Sequence, residues 1–130
     1  MNLFKLAMLA VGLTLATGNM AAAAGDAAAG KKVFNKCRAC HQTVAGKKGI
    51  GPNLHGLFGR KAGTLDKYKY SDDMKAAGAK GLVWNADTFS GYIAEPKKYI
   101  GKLLGKTTAK TKMAFSGLKK SKERDDLIAY

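Results

Sequence analysis

Cys37-Arg38-Ala39-Cys40-His41 is the stretch of this chain whose residue types and spacing select a chemistry most specifically. Two thiols three positions apart can add across the two vinyl groups of one porphyrin, leaving stable thioethers. The adjacent imidazole then lies under the iron and supplies an axial nitrogen. Cys-x-x-Cys-His is the attachment pattern of a c-type haem. Both cysteines of the chain sit in it. Two other chemistries use paired cysteines. In an exported protein such a pair could be a disulfide or a thiol-redox centre; a thioredoxin-like centre wants the pair after a strand in a βαβ pattern, and no convincing strand is legible here. Zinc would need Cys37, Cys40, His41 and His55, with the second and third ligands adjacent, which fits no usual finger spacing.

An iron held by one histidine has an open face, and what fills that face separates a carrier from an enzyme. A thioether in the sixth position blocks substrate, favours ferrous iron and raises the reduction potential. Outside the N-terminal leader described below, the methionines are Met74 and Met113. Met74 sits beside Asp73 and Lys75 in a short helical stretch, where a core role is the ordinary one. Met113 lies in a Gly/Thr/Lys loop far along the chain from His41. Given a haem, elimination points to Met113 as the second axial ligand. His55, in a glycine-rich turn, reads as a surface or hydrogen-bonded structural histidine.

The elements that must position these residues fit a single domain at 130 residues. Residues 1–24 read as a cleaved export signal: Lys5 is a basic start, residues 6–17 are apolar, and Ala21-Ala22-Ala23-Ala24 offers a small-residue cleavage site. The apolar run is too short to span a bilayer comfortably. The expectation is therefore a periplasmic domain over residues 25–130.

Within that domain, Asp26 can cap a helix running to about Lys36, with Val33 and Phe34 on its buried face and Gly30 admitting a neighbouring helix. The motif hangs from its end. Residues 43–69 are a Gly- and Lys-rich loop, long for a compact domain but suited to wrapping a large rigid cofactor with Leu54, Leu57 and Phe58. Ser71-Asp72-Asp73 starts a helix to about Ala79. Asn85 caps the next, carrying Phe89, Tyr92 and Ile93 at i, i+3, i+4. Pro96 ends or restarts it, and Tyr99, Ile100 and Leu103 extend the apolar face until Gly105. Residues 107–117 are loop again, and Ser121 opens a last helix with Leu127, Ile128 and Tyr130 turned inward. The expected fold is all-α, four to five short helices and long loops around one covalently bound haem.

With these residues in hand, the chain resembles class I cytochrome c along nearly the whole mature domain. The matches include Gly30-Lys31-Lys32-Val33-Phe34 before the motif, and Gly51-Pro52-Asn53-Leu54-His55-Gly56 through Arg60. They continue with Tyr70-Ser71-Asp72, Gly81-Leu82-Val83-Trp84, Pro96-Lys97-Lys98-Tyr99-Ile100, Thr111-Lys112-Met113 and the final segment from Arg124. Extra residues between Tyr70 and Trp84, and over residues 101–110, place the resemblance on the branch of the longer bacterial cytochromes c2.

The resemblance implies roles. The carbonyl of Pro52 accepts a hydrogen bond from His41, which orients the ring and raises its basicity. Tyr70, Trp84 and Arg60, with Tyr68 nearby, hold the haem propionates, since buried carboxylates need donors or a cation. Tyr92 and Thr111 are polar groups near the methionine sulfur, and Phe115 shields the exposed haem edge. Gly30, Phe34, Leu127 and Tyr130 form the crossing of the terminal helices. The implied function is electron transfer rather than catalysis, from a quinol-oxidising cytochrome bc complex to a photosynthetic reaction centre or a terminal oxidase. An open sixth site would instead imply a haem peroxidase or ligand sensor.

The formal net charge is +14, and between Pro96 and Lys122 there are nine lysines and no acidic residue. A single-sign run of lysines favours fast, loose electrostatic docking over bidentate recognition. Lys36, Lys97, Lys98, Lys112 and Lys119 are the candidates for a ring around the haem edge, facing acidic surfaces of membrane redox complexes. Export argues against nucleic acid as a partner. Stable membrane insertion is not expected, and a monomer is.

Overall fold

The Asp26 carboxylate accepts the backbone N–H groups of Ala28 and Ala29 and so opens the first helix, α1 (Ala27–Phe34). The computed structural model describes residues 24–130; apart from Ala24, the expected leader lies outside them. Ser71 caps α2 (Asp72–Ala79) through its hydroxyl. Asn85 caps α3 (Ala86–Ala94) in a reciprocal box with Thr88. Pro96, which has no N–H to leave unpaired, restarts the chain as the first residue of α4 (Pro96–Leu103). The last helix is α5 (Ser121–Ala129). Among the described residues there is no β-strand, only an isolated antiparallel bridge between Lys61 and Val83.

The principal helix contact is between the two ends of the domain, α1 against α5. It is possible because Gly30 has no side chain: a Cβ there would lie 1.9 Å from the Asp126 carbonyl oxygen and 2.8 Å from the Tyr130 Cβ. The buried Asp126 carboxylate takes the Asp26 N–H at 2.8 Å and the Lys122 ammonium at 2.9 Å, fixing the start of α1 on the face of α5. Gly30→Ala is accordingly expected to cost about 3 kcal/mol, the upper part of the usual overpacking range, read as a lowered unfolding midpoint of the haem-loaded protein. A midpoint within error of the parent would show that the helices part without cost.

Phe58, 47% exposed and set edge-on against Phe89, and Leu103, 36% exposed, face outward rather than into the interior as expected, and two helix ends also differ. First, α1 stops at Phe34 rather than Lys36, because the chain tightens into i→i+3 turns in which the N–H of Cys37 donates to Phe34. Second, Tyr130 is 48% exposed rather than inward. It follows the last turn of α5, so its ring rests on Phe34 at the margin of the crossing, with centroids 5.6 Å apart. Leu127 is buried as expected, and Ile128 is half-buried.

Two apolar clusters hold the remaining helices. One joins Met74 and Ala77 of α2 to Trp84, Tyr92 and Ile100. The other joins Ile93, Leu118 and Leu127, with Val33 and Phe34 packed on it. Met113 packs against both. The loop methionine, itself half-buried, thus packs onto the interior.

Candidate haem site

After α1 the N–H groups of Cys40 and His41 both donate to the Cys37 carbonyl, at 3.1 and 3.0 Å. A turn of that pitch puts residues i, i+3 and i+4 on one face, so both sulfurs and the imidazole reach one cavity. That cavity has a volume of about 430 Å³, within the usual range of roughly 300–1,000 Å³ for a buried ligand site. Its wall is mainly apolar, and Met113, Arg60, Tyr70, Trp84 and Tyr92 also line it.

The His41 ring is held in one orientation. Its Nδ1 lies 2.8 Å from the Pro52 carbonyl oxygen. A carbonyl only accepts, so Nδ1 carries the proton and Nε2 keeps its lone pair for a metal. Gly51 lies flat against the ring, where a Cβ would stand 2.6 Å from His41 Cε1. Met113 is half-buried, and the Tyr92 hydroxyl donates towards its Sδ at 3.9 Å. Burial pushes the Tyr92 phenol far above its ordinary value, so it remains a donor. Thr111, expected near the sulfur, donates instead to the Met113 carbonyl at 3.2 Å and fixes the backbone there.

Comparisons with known proteins place the chain in a family. The profile of the cytochrome c family matches residues 27–130. The chain belongs to the cytochrome c family. Cytochrome c-551 of Roseobacter denitrificans is 45% identical over 115 residues, covering 83% of this chain and 80% of the relative. Cytochrome c2 of Afifella marina is 44% identical over 104 residues, covering 79% and 77%. Among solved structures, ferricytochrome c2 of Rhodopseudomonas palustris superposes with a TM-score of 0.73 at 40% identity, covering 81% of this chain and 95% of that one. Cytochrome c2 of Rhodobacter sphaeroides gives 0.74 at 41% identity, covering 82% and 93%. Membership of the family implies a covalently bound haem c and the role of a c-type electron carrier.

The cytochrome c reading also accounts for the remaining groups. Cys37 is half-buried, and desolvation pushes its thiol up against the opposing pull of Lys36; an attacking redox thiol needs the reverse. His55 is exposed, with Nδ1 3.2 Å from the Thr43 carbonyl, as a structural histidine would be. Arg60 donates to the carbonyls of Asn53 at 2.8 Å and His55 at 2.6 Å, so it ties the loop together as well as lining the cavity. Tyr70 is pushed up by burial, against which the Arg60 charge acts. Trp84 is buried and packs on Tyr92 with ring centroids 4.9 Å apart.

The five lysines fall into two groups. Lys36 and Lys112 line the large cavity, whereas Lys97, Lys98 and Lys119 line a smaller neighbouring one; Phe115 borders both. Glu95 pairs with Lys98 at 3.5 Å and Lys119 at 3.0 Å, and Glu123 pairs with Lys36 at 3.2 Å. Among the described residues Lys97 has no carboxylate partner. Sequence reasoning missed three contributors. Gly51 lay inside a quoted motif, yet its contact with His41 is non-local. Ile50, 79% exposed on the rim of the cavity, was hidden in a loop of mixed composition. Asp73 was read only as a helix-start acid.

Proposed function

We propose that this chain is a soluble monohaem c-type cytochrome, exported to the periplasm and active as a monomer, that shuttles single electrons between membrane redox complexes. Haem bound in the cavity supplies a one-electron iron couple. The chain's own residues do the rest. Cys37 and Cys40 would hold the group by thioethers, and His41 Nε2 and Met113 Sδ would be the side-chain atoms that ligate its iron. Pro52 keeps the imidazole oriented, and Tyr92 keeps the sulfur turned inward while Thr111 secures its backbone. Arg60, Tyr70 and Trp84 supply donors for the propionates. With both axial positions taken by side chains there is no place for a substrate, so the protein is a carrier and not an enzyme. Supporting this reading is the fact that His41 and Met113 line one cavity, each with its own hydrogen-bonding partner.

The family resemblance supplies the proposed route: electrons from a quinol-oxidising cytochrome bc complex to a photosynthetic reaction centre or a terminal oxidase, with acidic faces of these complexes meeting the lysines. The test is intact mass and visible spectra, oxidised and reduced, on protein matured with haem-attachment machinery. The expected result is a mass increment of one haem, a ferric sulfur–iron band near the red end, and no uptake of carbon monoxide at neutral pH. A colourless product overturns the proposal. A coloured product that takes up carbon monoxide moves the chain to the peroxidase or sensor class.

A further inference from the structure

Asp73 is buried, on the first turn of α2, and both of its carboxylate oxygens are engaged by one distant segment. Oδ1 accepts from the Lys106 ammonium at 2.5 Å, and Oδ2 accepts the backbone N–H of Lys110 at 2.6 Å. These two bonds hold its carboxyl below the ordinary carboxylate range. The segment it grips lies within residues 101–110, one of the two stretches where the family resemblance finds extra residues. It doubles back tightly: Lys106 N–H donates to the Gly101 carbonyl at 2.8 Å, and Ala109 N–H to Lys97 at 3.0 Å. Ala109 is buried against the cluster that contains Met74 and Ala77. From the other end of α2, Lys80 reaches the Leu103 carbonyl at 3.4 Å. Three residues beyond Lys110, with Thr111 bonded across the step, the chain delivers Met113 to the cavity.

We propose that Asp73 is a positioning residue for Met113: it anchors the backbone that carries the sulfur, and so sets how often the sulfur leaves its place. The inference rests on Met113 being the sixth ligand. An added ligand can reach the iron only when the methionine segment has opened. Its apparent affinity is then its intrinsic affinity multiplied by the open fraction. The two bonds to Asp73 belong to the closed arrangement, so removing them raises the open fraction in proportion.

The test uses haem-loaded ferric protein titrated with imidazole while the red sulfur–iron band is followed. Asp73→Ala, which removes both bonds, is expected to raise apparent imidazole affinity about tenfold, and Lys106→Ala, which removes one, about threefold, the scale of a partly exposed ion pair with one ordinary hydrogen bond beside it. Asp126→Asn, which loosens the α1/α5 contact instead, is expected to lower the unfolding midpoint with imidazole affinity unchanged. If Asp73→Ala fails to mature, Lys106→Ala carries the test alone, since that side chain is 51% exposed. Affinities within twofold of the parent for both variants overturn the inference. So does a tenfold rise in Asp126→Asn, which would make the effect one of general stability. A parent protein with no red band overturns the axial assignment itself, a failure visible before any variant is made.

Discussion

Met113→Ala leaves the haem attached, lowers its reduction potential on the order of 0.2 V and lets carbon monoxide and imidazole bind at neutral pH. On the proposed ligation attachment depends on Cys37 and Cys40, and the His41–Pro52 bond lies on another segment, so neither is touched. What disappears is the thioether, the ligand that favours ferrous iron, and axial ligands together span about 0.8 V of haem potential. The Tyr92 hydroxyl also loses its acceptor. A buried donor left without a partner costs about 1–3 kcal/mol, which an incoming ligand or water can relieve, so Tyr92 helps to recruit one. Met74→Ala is the necessary control, because Met74 is buried and lines the same cavity. It is expected to lower stability by about 2–5 kcal/mol, as large-to-small core changes do, with the red band and the potential retained. Potentiometry and carbon monoxide titration on both variants decide the matter. An unchanged potential in Met113→Ala would remove this residue from the iron.

Helix starts were legible because a cap is a local transaction. Asp26, Ser71 and Asn85 each bond N–H groups two or three residues ahead, so residue type and position suffice. The end of α1 was less so, because the turn that presents Cys37, Cys40 and His41 competes with helix continuation. The same division runs through the cavity. The cysteines and His41 are contiguous and announce their chemistry, whereas Pro52, eleven residues from His41, entered only through family resemblance. Asp73 shows where reading stops. A serine followed by two aspartates is a complete explanation of a helix start, and nothing in the sequence says that one carboxylate grips a segment 33 and 37 residues away. The lysine run was only partly legible for the same reason: Glu95 and Glu123 flank it in sequence, and the fold pairs Glu95 with Lys98 and Lys119, and Glu123 with Lys36 outside the run.

Reversing Lys97 and Lys98 to glutamate slows electron exchange with a membrane redox complex more than tenfold at low ionic strength, and the deficit closes as salt is added. The two substitutions take the formal net charge from +14 to +10, but local geometry matters more than that total. Glu95 lies within the same patch, three residues before Lys98, and is neutralised there by Lys98 and Lys119. With Lys98 reversed, Glu95 keeps only Lys119, so two new carboxylates and a half-compensated third stand beside Phe115 at the junction of the two cavities. Steering by complementary charge multiplies association rates by 10 to 10³, roughly, and the Debye length shrinks from about 30 Å at 0.01 M to about 3 Å at 1 M salt. The rates of parent and variant should therefore converge near 1 M. Lys31→Glu with Lys75→Glu makes the same change in net charge at positions that line neither cavity, and is expected to slow exchange far less. Equal slowing in both variants would mean that total charge alone steers the encounter. A Lys97/Lys98 variant as fast as the parent at every ionic strength would take these lysines off the proposed docking face.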